Sequence, residues 1–498
     1  MELQFKSMDR TCLEPVVRQV QTAELTQEIK VPDGLPDIGR VICAWGQGIL
    51  RGKQWHGDSI GCSGGLMLWV LYAPEEGGEE RVLDAWLPFQ MHWELPEGAN
   101  EGQTQADCRL RFLDARSVSA RRIMVRAGVS VRAEAWCPRN YQAYGPEQPV
   151  QAVELLEELY PLRLLKEAGE KTFLLEDTVS PPQGSPEPAS LISYSLHPKI
   201  TDKKVLSDKL VFRGTGNLHL LYRSQEGELA VWEEELPFSQ FAQLSGEYGT
   251  EAQAELVLAL TSAEIALDDG QLRLKCGLVG QYRITDREML PVVEDAYSPG
   301  RALELFREEL TLPVLLESRK ENVPVEEGLT VEGDTVLDLW LMEDFPRQQP
   351  GQDTIQLELP GTLQALYRDP EGKLQAASQR WTGHRQLPAG EDTHLYAEVQ
   401  YPDSLTGVSD GGKLRVKLDI PLTWTAEVNQ CFPQITGVTV GEAKKAEEDR
   451  PSLILRRLGN DRLWDVAKET GSTMAAIRKA NGLEVDPAPD RLLLIPVS

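Results

Sequence analysis

"LMLWVLYAPEEGGEERVLDAWLPF", Leu66–Phe89, alternates Leu68, Val70 and Tyr72 with their neighbours, breaks at an acidic glycine turn, and resumes in a second apolar run. A period of two marks a strand with one buried face, and glycine supplies the positive φ of a tight reversal. The stretch reads as a β-hairpin, and it recurs. "GNLHLLYRSQEGELAVWEEELPF", Gly216–Phe238, and "GTLQALYRDPEGKLQAASQRWTG", Gly361–Gly383, have the same order of strand, turn and strand. Tyr72, Tyr222 and Tyr367 align at spacings of 150 and 145 residues. A repeat of this kind is the first thing to establish in a long chain, because it sets the number of units.

Each copy continues into a further pair of alternating segments: Cys108–Trp136, Ala254–Ile284 and Thr393–Val428. Three β-rich domains follow, each of ordinary single-domain size, and 498 residues leave room for them and one more small unit. "VQAVELLEELYPLRLLKEAG", Val150–Gly169, is expected to be helical from its Leu, Glu and Lys content, with the proline-rich "SPPQGSPEPAS", Ser180–Ser190, as its flexible end. "GRALELFREEL", Gly300–Leu310, reads as a second, shorter helix. "GEAKKAEEDRPS", Gly441–Ser452, is polar and without periodicity, so the last unit is expected to be tethered rather than embedded. The divisions expected are β domains at 1–145, 191–300 and 301–440, a helical and proline-rich connector at 146–190, a linker at 441–452 and a terminal domain at 453–498.

That terminal domain begins with a short strand through Leu453 and Leu455. In "NDRLWDVAKETGSTMAAIRKANGL", Asn460–Leu483, Asp461 is placed to cap a helix with Leu463, Val466 and Ala467 on one face, and Gly471 to end it. Ser472 or Thr473 caps a second helix bearing Ala476, Ile477 and Ala480, Gly482 stops it, and "RLLLIPV", Arg491–Val497, closes as a strand. The order is strand, helix, helix, strand.

Leu463, Trp464, Val466, Ala467, Asn481, Gly482, Ile495 and Pro496 together resemble the LysM domain. Two loops that line the N-acetylglucosamine groove of LysM domains depart from the pattern, as Asn460-Asp461-Arg462 and Ala488-Pro489-Asp490. "IKVPDGLPDIGRVICAWGQG", Ile29–Gly48, resembles the opening of the SPOCS domain, with Pro32, Asp33, Pro36, Asp37 and Ile38 in the matching places. The second and third copies lack this opening, although Ser318–Pro346 has the spacing of a degenerate equivalent in the third. The fold class expected is therefore mainly β: three tandem SPOCS-like domains with helical connectors, then a small βααβ LysM domain. This order resembles that of SipL-like spore-coat morphogenetic proteins of clostridia.

The resemblance implies a non-enzymatic protein of the mother-cell cytoplasm that anchors coat layers at the forespore surface and in the spore coat. Its LysM domain would dock on a SpoIVA-like coat-scaffold ATPase, with other coat proteins as further partners. The residues implied are Asp461, Arg462, Leu463, Trp464, Asn481 and Gly482. A second reading makes the chain a peptidoglycan or cortex-glycan binder that takes N-acetylglucosamine chains through LysM. Trp464 has two readings, a core residue or an exposed aromatic anchor of the type that dominates interfaces.

Composition agrees with a cytosolic assembly protein. With 78 acidic against 51 basic residues the formal charge is -27, which repels phosphates and anionic lipid and sets nucleic acid aside as a partner. No stretch approaches the roughly 20 apolar residues of a spanning helix, and the first residues lack a signal-peptide core, so neither export nor membrane insertion is expected. Seven cysteines, widely spaced and without a CxxC pair, suit buried, reduced thiols.

Catalytic patterns are thin. "GCSGG", Gly61–Gly65, matches the nucleophile elbow in letters, but the elbow needs a helix after Ser63 and "LMLWVLY" reads as strand. "GQGILRGKQ", Gly46–Gln54, has neither the glycine spacing of a phosphate loop nor a Ser or Thr after Lys53. The six histidines fall at no metal-ligand spacing, and no cofactor is implied.

Overall fold

The computed structural model describes residues 2–3, 5–146, 153–333, 335–390, 392–402, 404–410, 412–444, 451–484 and 491–497. Ahead of the terminal unit every element among the described residues is a strand. The first repeat holds β1 (Glu2–Leu3), β2 (Phe5–Lys30), β3 (Ile38–His56), β4 (Ser59–Pro74), β5 (Arg81–Glu94), β6 (Gln103–Ser119) and β7 (Arg122–Pro146). The second holds β8 (Glu154–Val179), β9 (Pro188–Ser224), β10 (Leu229–Tyr248), β11 (Gln253–Asp268) and β12 (Gln271–Tyr297). The third holds β13 (Arg301–Thr330), β14 (Thr335–Glu343), β15 (Arg347–Pro350), β16 (Thr354–Arg368), β17 (Leu374–Pro388), β18 (Thr393–Val399), β19 (Gly407–Asp410) and β20 (Lys413–Ala443).

One plan underlies all three. In the first repeat β3, β4 and β5 form an antiparallel meander, and β2, β7 and β6 form a second sheet with the last strand in the middle. The second repeats this with β9–β10 and β8–β12–β11, and the third with β14 and β15 on β16 beside β17, and β13 on β20 beside β18 and β19. The expectation of a mainly β chain holds. Its helical connectors do not.

Of the first expected helix, residues 150–152 lie outside the described residues; from Glu154 on it is part of β8, which pairs with β12 from Glu154 opposite Tyr297 to Val179 opposite Leu272. Gly300–Leu310 leads into β13, paired along its length with β20. Leu and Glu favour helix only by tenths of a kcal/mol per residue, which a long ladder and a buried face override. Leu162 and Leu164 alternate into a core, as do Leu310, Leu312 and Val314, and Pro161 would break the first helix.

The proline-rich stretch also takes a different part. Tyr72 Oη donates to Pro36 O at 3.0 Å, and Tyr222 Oη donates to Pro186 O at 2.9 Å. Leu35 N to Pro32 O and Ser185 N to Pro182 O match in the same way, as do Glu75 N to Asp37 O and Gln225 N to Glu187 O. Ser180–Ser190 is thus the second copy's opening, not a loose connector. In the third repeat the link shortens: Val331 N donates to Gly412 O as Val31 N does to Arg121 O.

These bonds bring both ends of β9 together, so the chain doubles back within it at Ser207, whose φ is 45°. Gly57 holds the corresponding place between β3 and β4, at φ 55°. A side chain in this left-handed region is strained. Ser207→Gly should raise stability by about 0.5–1 kcal/mol, read as a higher urea midpoint at constant slope; an unchanged or lower midpoint rules out strain at this turn.

The repeats do not sit as beads on a string. Each has its own sandwich core, and two further cores draw on all three. In one, Cys12 and Tyr141 meet Leu162, Leu164 and Leu290, and also Leu310, Leu312 and Phe432. In the other, Trp45, Trp69 and Leu71 meet Ile192, Leu221 and Leu229, and also Leu366 and Leu374. Each fully buried Leu is worth roughly 2 kcal/mol, so the repeats stabilise one another directly.

Candidate functional site

The terminal unit has the expected order: β21 (Leu453–Arg457), α1 (Leu463–Thr470), α2 (Met474–Asn481) and β22 (Leu492–Pro496), the two strands pairing antiparallel. Residues 445–450 of the expected linker, and the Ala488-Pro489-Asp490 loop, lie outside the described residues. α2 starts at Thr473, whose side chain accepts from Ala476 N, and both helices end on left-handed glycines, Gly471 and Gly482. Asp461 does not cap α1. The helix starts one residue later than that reading requires, Arg462 holds the cap position without a side-chain capping bond, and the Asp461 carboxylate accepts from Arg456 at 2.8 Å.

Trp464 is turned inward. It is 2% exposed, in a core with Leu463, Val466, Ala467, Ile477, Leu493 and Ile495. That core extends into the second repeat. Tyr297 at the end of β12 meets Trp464 edge to face at 4.8 Å, and its hydroxyl donates to Ser472 O at 3.0 Å. Trp464 Nε1 donates to Asp295 Oδ2 at 3.0 Å, and Lys468 Nζ reaches the same oxygen at 2.5 Å. Burial alone would raise Asp295, but the Lys468 and Trp464 donors outweigh it and hold the carboxyl below its ordinary value. Burial pushes the Tyr297 hydroxyl up, keeping it a donor. The expected tether therefore ends in a packed contact.

The other site residues have definite tasks. Asn481 acts as a strand surrogate: its Nδ2 donates to Ile477 O and Leu494 O, and its Oδ1 accepts from Leu494 N at 2.8 Å. Gly482 supplies the left-handed cap. Arg462 is exposed and bonded to Asp465 at 3.1 Å. Of the six residues, then, Leu463 and Trp464 build the core, Asn481 ties α2 to β22, Gly482 caps α2, and Asp461 and Arg462 lie at the surface. Asp295 and Tyr297 carry no local signal in the sequence, because Asp295 lies 169 residues from the side chain it holds.

A second concentration of chemistry lies where the repeats meet. Arg283 bonds Glu134 of the first repeat at 2.7 Å and also Glu255; Arg132 bonds Glu398 of the third at 2.8 Å; Arg18 grips Glu427 with two bonds of 3.0 and 3.1 Å. All of these but Glu427 line a cleft of about 920 Å³, together with Lys203 and Lys320. Beside it, burial pushes Asp107 up to about 6 against the pull of Arg109 and Arg132. Burial pulls His219 down, but its bonds to Asp338 at 2.9 Å and to Glu233 leave it raised. The carboxylates here are matched by cations from neighbouring repeats, the arrangement of a lock between units.

Ser63 lies within β4, opposite Gly52 and Gln90, with strand on both sides and no elbow. Lys53 spans to the second repeat, bonding Glu170 at 2.9 Å and Gln281 at 2.7 Å. All seven cysteines are free thiols. Among the described residues no helix is long and apolar enough to cross a membrane, and no group of three or more His, Cys, Asp or Glu converges as a metal site.

Comparison with known proteins gives one match. Residues 189–266, from the start of β9 through most of β11, match the family model described as SipL, SPOCS domain. Searches of curated proteins and of solved structures return no match. Through its second repeat the chain is similar to SPOCS-domain proteins, a family tied to sporulation.

Proposed function

We propose that this chain is a non-enzymatic assembly protein of the spore coat, working from the mother-cell cytoplasm at the forespore surface. Its three repeats, packed on one another, offer surfaces to other coat proteins. Its terminal unit is a LysM domain that docks on a SpoIVA-like scaffold ATPase. The observation that carries this reading is the SPOCS match in the second repeat, set in an array whose first and third repeats share its strand plan. The βααβ order of the terminal unit supports the LysM assignment. The ion pairs between repeats favour a structural role, since their cations already face carboxylates.

A fluorescent fusion expressed in a sporulating host should form a shell around the forespore from the mother-cell side. Recovery mainly in the medium or in vegetative wall would sink the proposal. A pull-down on purified peptidoglycan bears on the glycan reading: retention of the full chain there, with no retention on the scaffold ATPase, replaces protein docking by glycan binding.

A further inference from the structure

With Trp464 committed to the second repeat, an apolar face of the terminal unit remains open. The helices pack on one side of the β21–β22 ribbon, where Leu493 and Ile495 are fully buried. The opposite side carries three cross-strand pairs: Leu453 with Pro496, Leu455 with Leu494, and Arg457 with Leu492. Leu453, Leu455 and Leu492 are 50%, 65% and 57% exposed. Three leucines standing open on one small ribbon form a contiguous patch, and such patches mark interaction sites.

We propose that this face docks an acidic protein surface with an apolar centre. The inference rests on the assembly reading above and names the surface by which the terminal unit engages its scaffold. Charge selects the occupant. From Leu453 to Ser498 there are seven Lys or Arg against six Asp or Glu, on a chain of net -27. The structure divides those cations. Arg456, Arg462 and Lys468 are tied to Asp461 and Glu469, to Asp465 and to Asp295. Arg457 is exposed on the patch, and Arg491 beside Leu492 is exposed and donates to the Asn481 carbonyl at 3.4 Å. The leucines thus have a cationic rim, complementary to carboxylates on a partner. A second copy joined patch to patch would bring two sets of arginines together, with like charges facing each other.

The test uses the full chain and the purified scaffold ATPase. Leu455→Glu combined with Leu492→Glu should weaken binding at least about tenfold, and Arg457→Glu should slow association and flatten its salt dependence. Leu455→Thr with Leu492→Thr keeps strand propensity and should weaken binding in the same direction, which separates loss of the face from loss of fold. If the wild-type chain binds and the folded variants bind equally well, this surface is wrong while the assembly reading stands. If the wild-type chain does not bind the scaffold, both fail. Concentration-dependent self-association of the wild type, abolished by the same substitutions, assigns the face to a second copy and overturns the proposal.

Discussion

Trp464→Ala unfolds the terminal unit while the three repeats stay intact. The indole fills the centre of a core whose described apolar members are few, and it contacts Tyr297 and Asp295 outside the unit. Truncating a buried Trp typically costs about 3–5 kcal/mol, and a unit this small has only a few kcal/mol to lose. Limited proteolysis should cut the variant within 453–498 and leave the body protected. Trp464→Phe keeps most of the packing and loses only the donor to Asp295, so it should cost roughly 1–3 kcal/mol and leave the unit folded in the cold. Arg462→Ala, exposed and in a surface pair, should change stability by less than about 1 kcal/mol. A Trp464→Ala chain as resistant as the wild type would mean that Trp464 is not a core residue.

The β plan was legible because its strands carry one buried face each, so Leu218, Leu220 and Tyr222 announce themselves by alternation. β8 was not, for a compositional reason: its Leu, Glu and Lys are good helix formers, and the signal against helix was Pro161 together with the alternation of Leu162 and Leu164. The second opening was hidden by its letters. Pro-Asp-Gly-Leu-Pro-Asp and Pro-Gln-Gly-Ser-Pro-Glu share their prolines and glycine but little else, and the 150-residue offset already fixed by Tyr72 and Tyr222 was the means of finding it.

At the terminal unit the sequence showed the elements, and only the fold showed which faces were spent. An aromatic in an amphipathic helix carries no mark of whether its neighbour is solvent or a strand that ends at Tyr297. The closing of the repeats on one another was equally silent, since Cys12, Leu164, Leu312 and Phe432 come together from strands hundreds of residues apart. Long-range burial of this kind writes the same alternation as burial within one sandwich.

Arg283→Ala should be the most damaging single change at the junction of the repeats. Its guanidinium bonds Glu134 and Glu255 and lies over the rings of Trp136 and Tyr396 at 5.2 and 5.0 Å. Removing the cation leaves two carboxylates, Glu134, 12% exposed, and Glu255, 39% exposed, facing each other at the cleft; with Lys203 still beside Glu255 and water screening it, the loss should be about 1–3 kcal/mol. The pH dependence follows from the sign. Burial alone would raise Glu255, but Arg283 and Lys203 outweigh it and hold the carboxyl below its ordinary value. A depressed carboxylate contributes stability above its unfolded pKa and loses it as pH falls through the folded one. The gap between variant and wild type should therefore be full at pH 7 and narrow on acidification, as Glu255 takes up a proton. Glu134→Gln in the Arg283→Ala background removes one of those charges and should recover part of the loss. Because this contact joins the first and second repeats, the variant should lower the unfolding midpoint of both together in urea. A gap that persists undiminished at acid pH, or no recovery from Glu134→Gln, would show that Arg283 acts by packing on Trp136 and Tyr396 and not as the counterion of the junction.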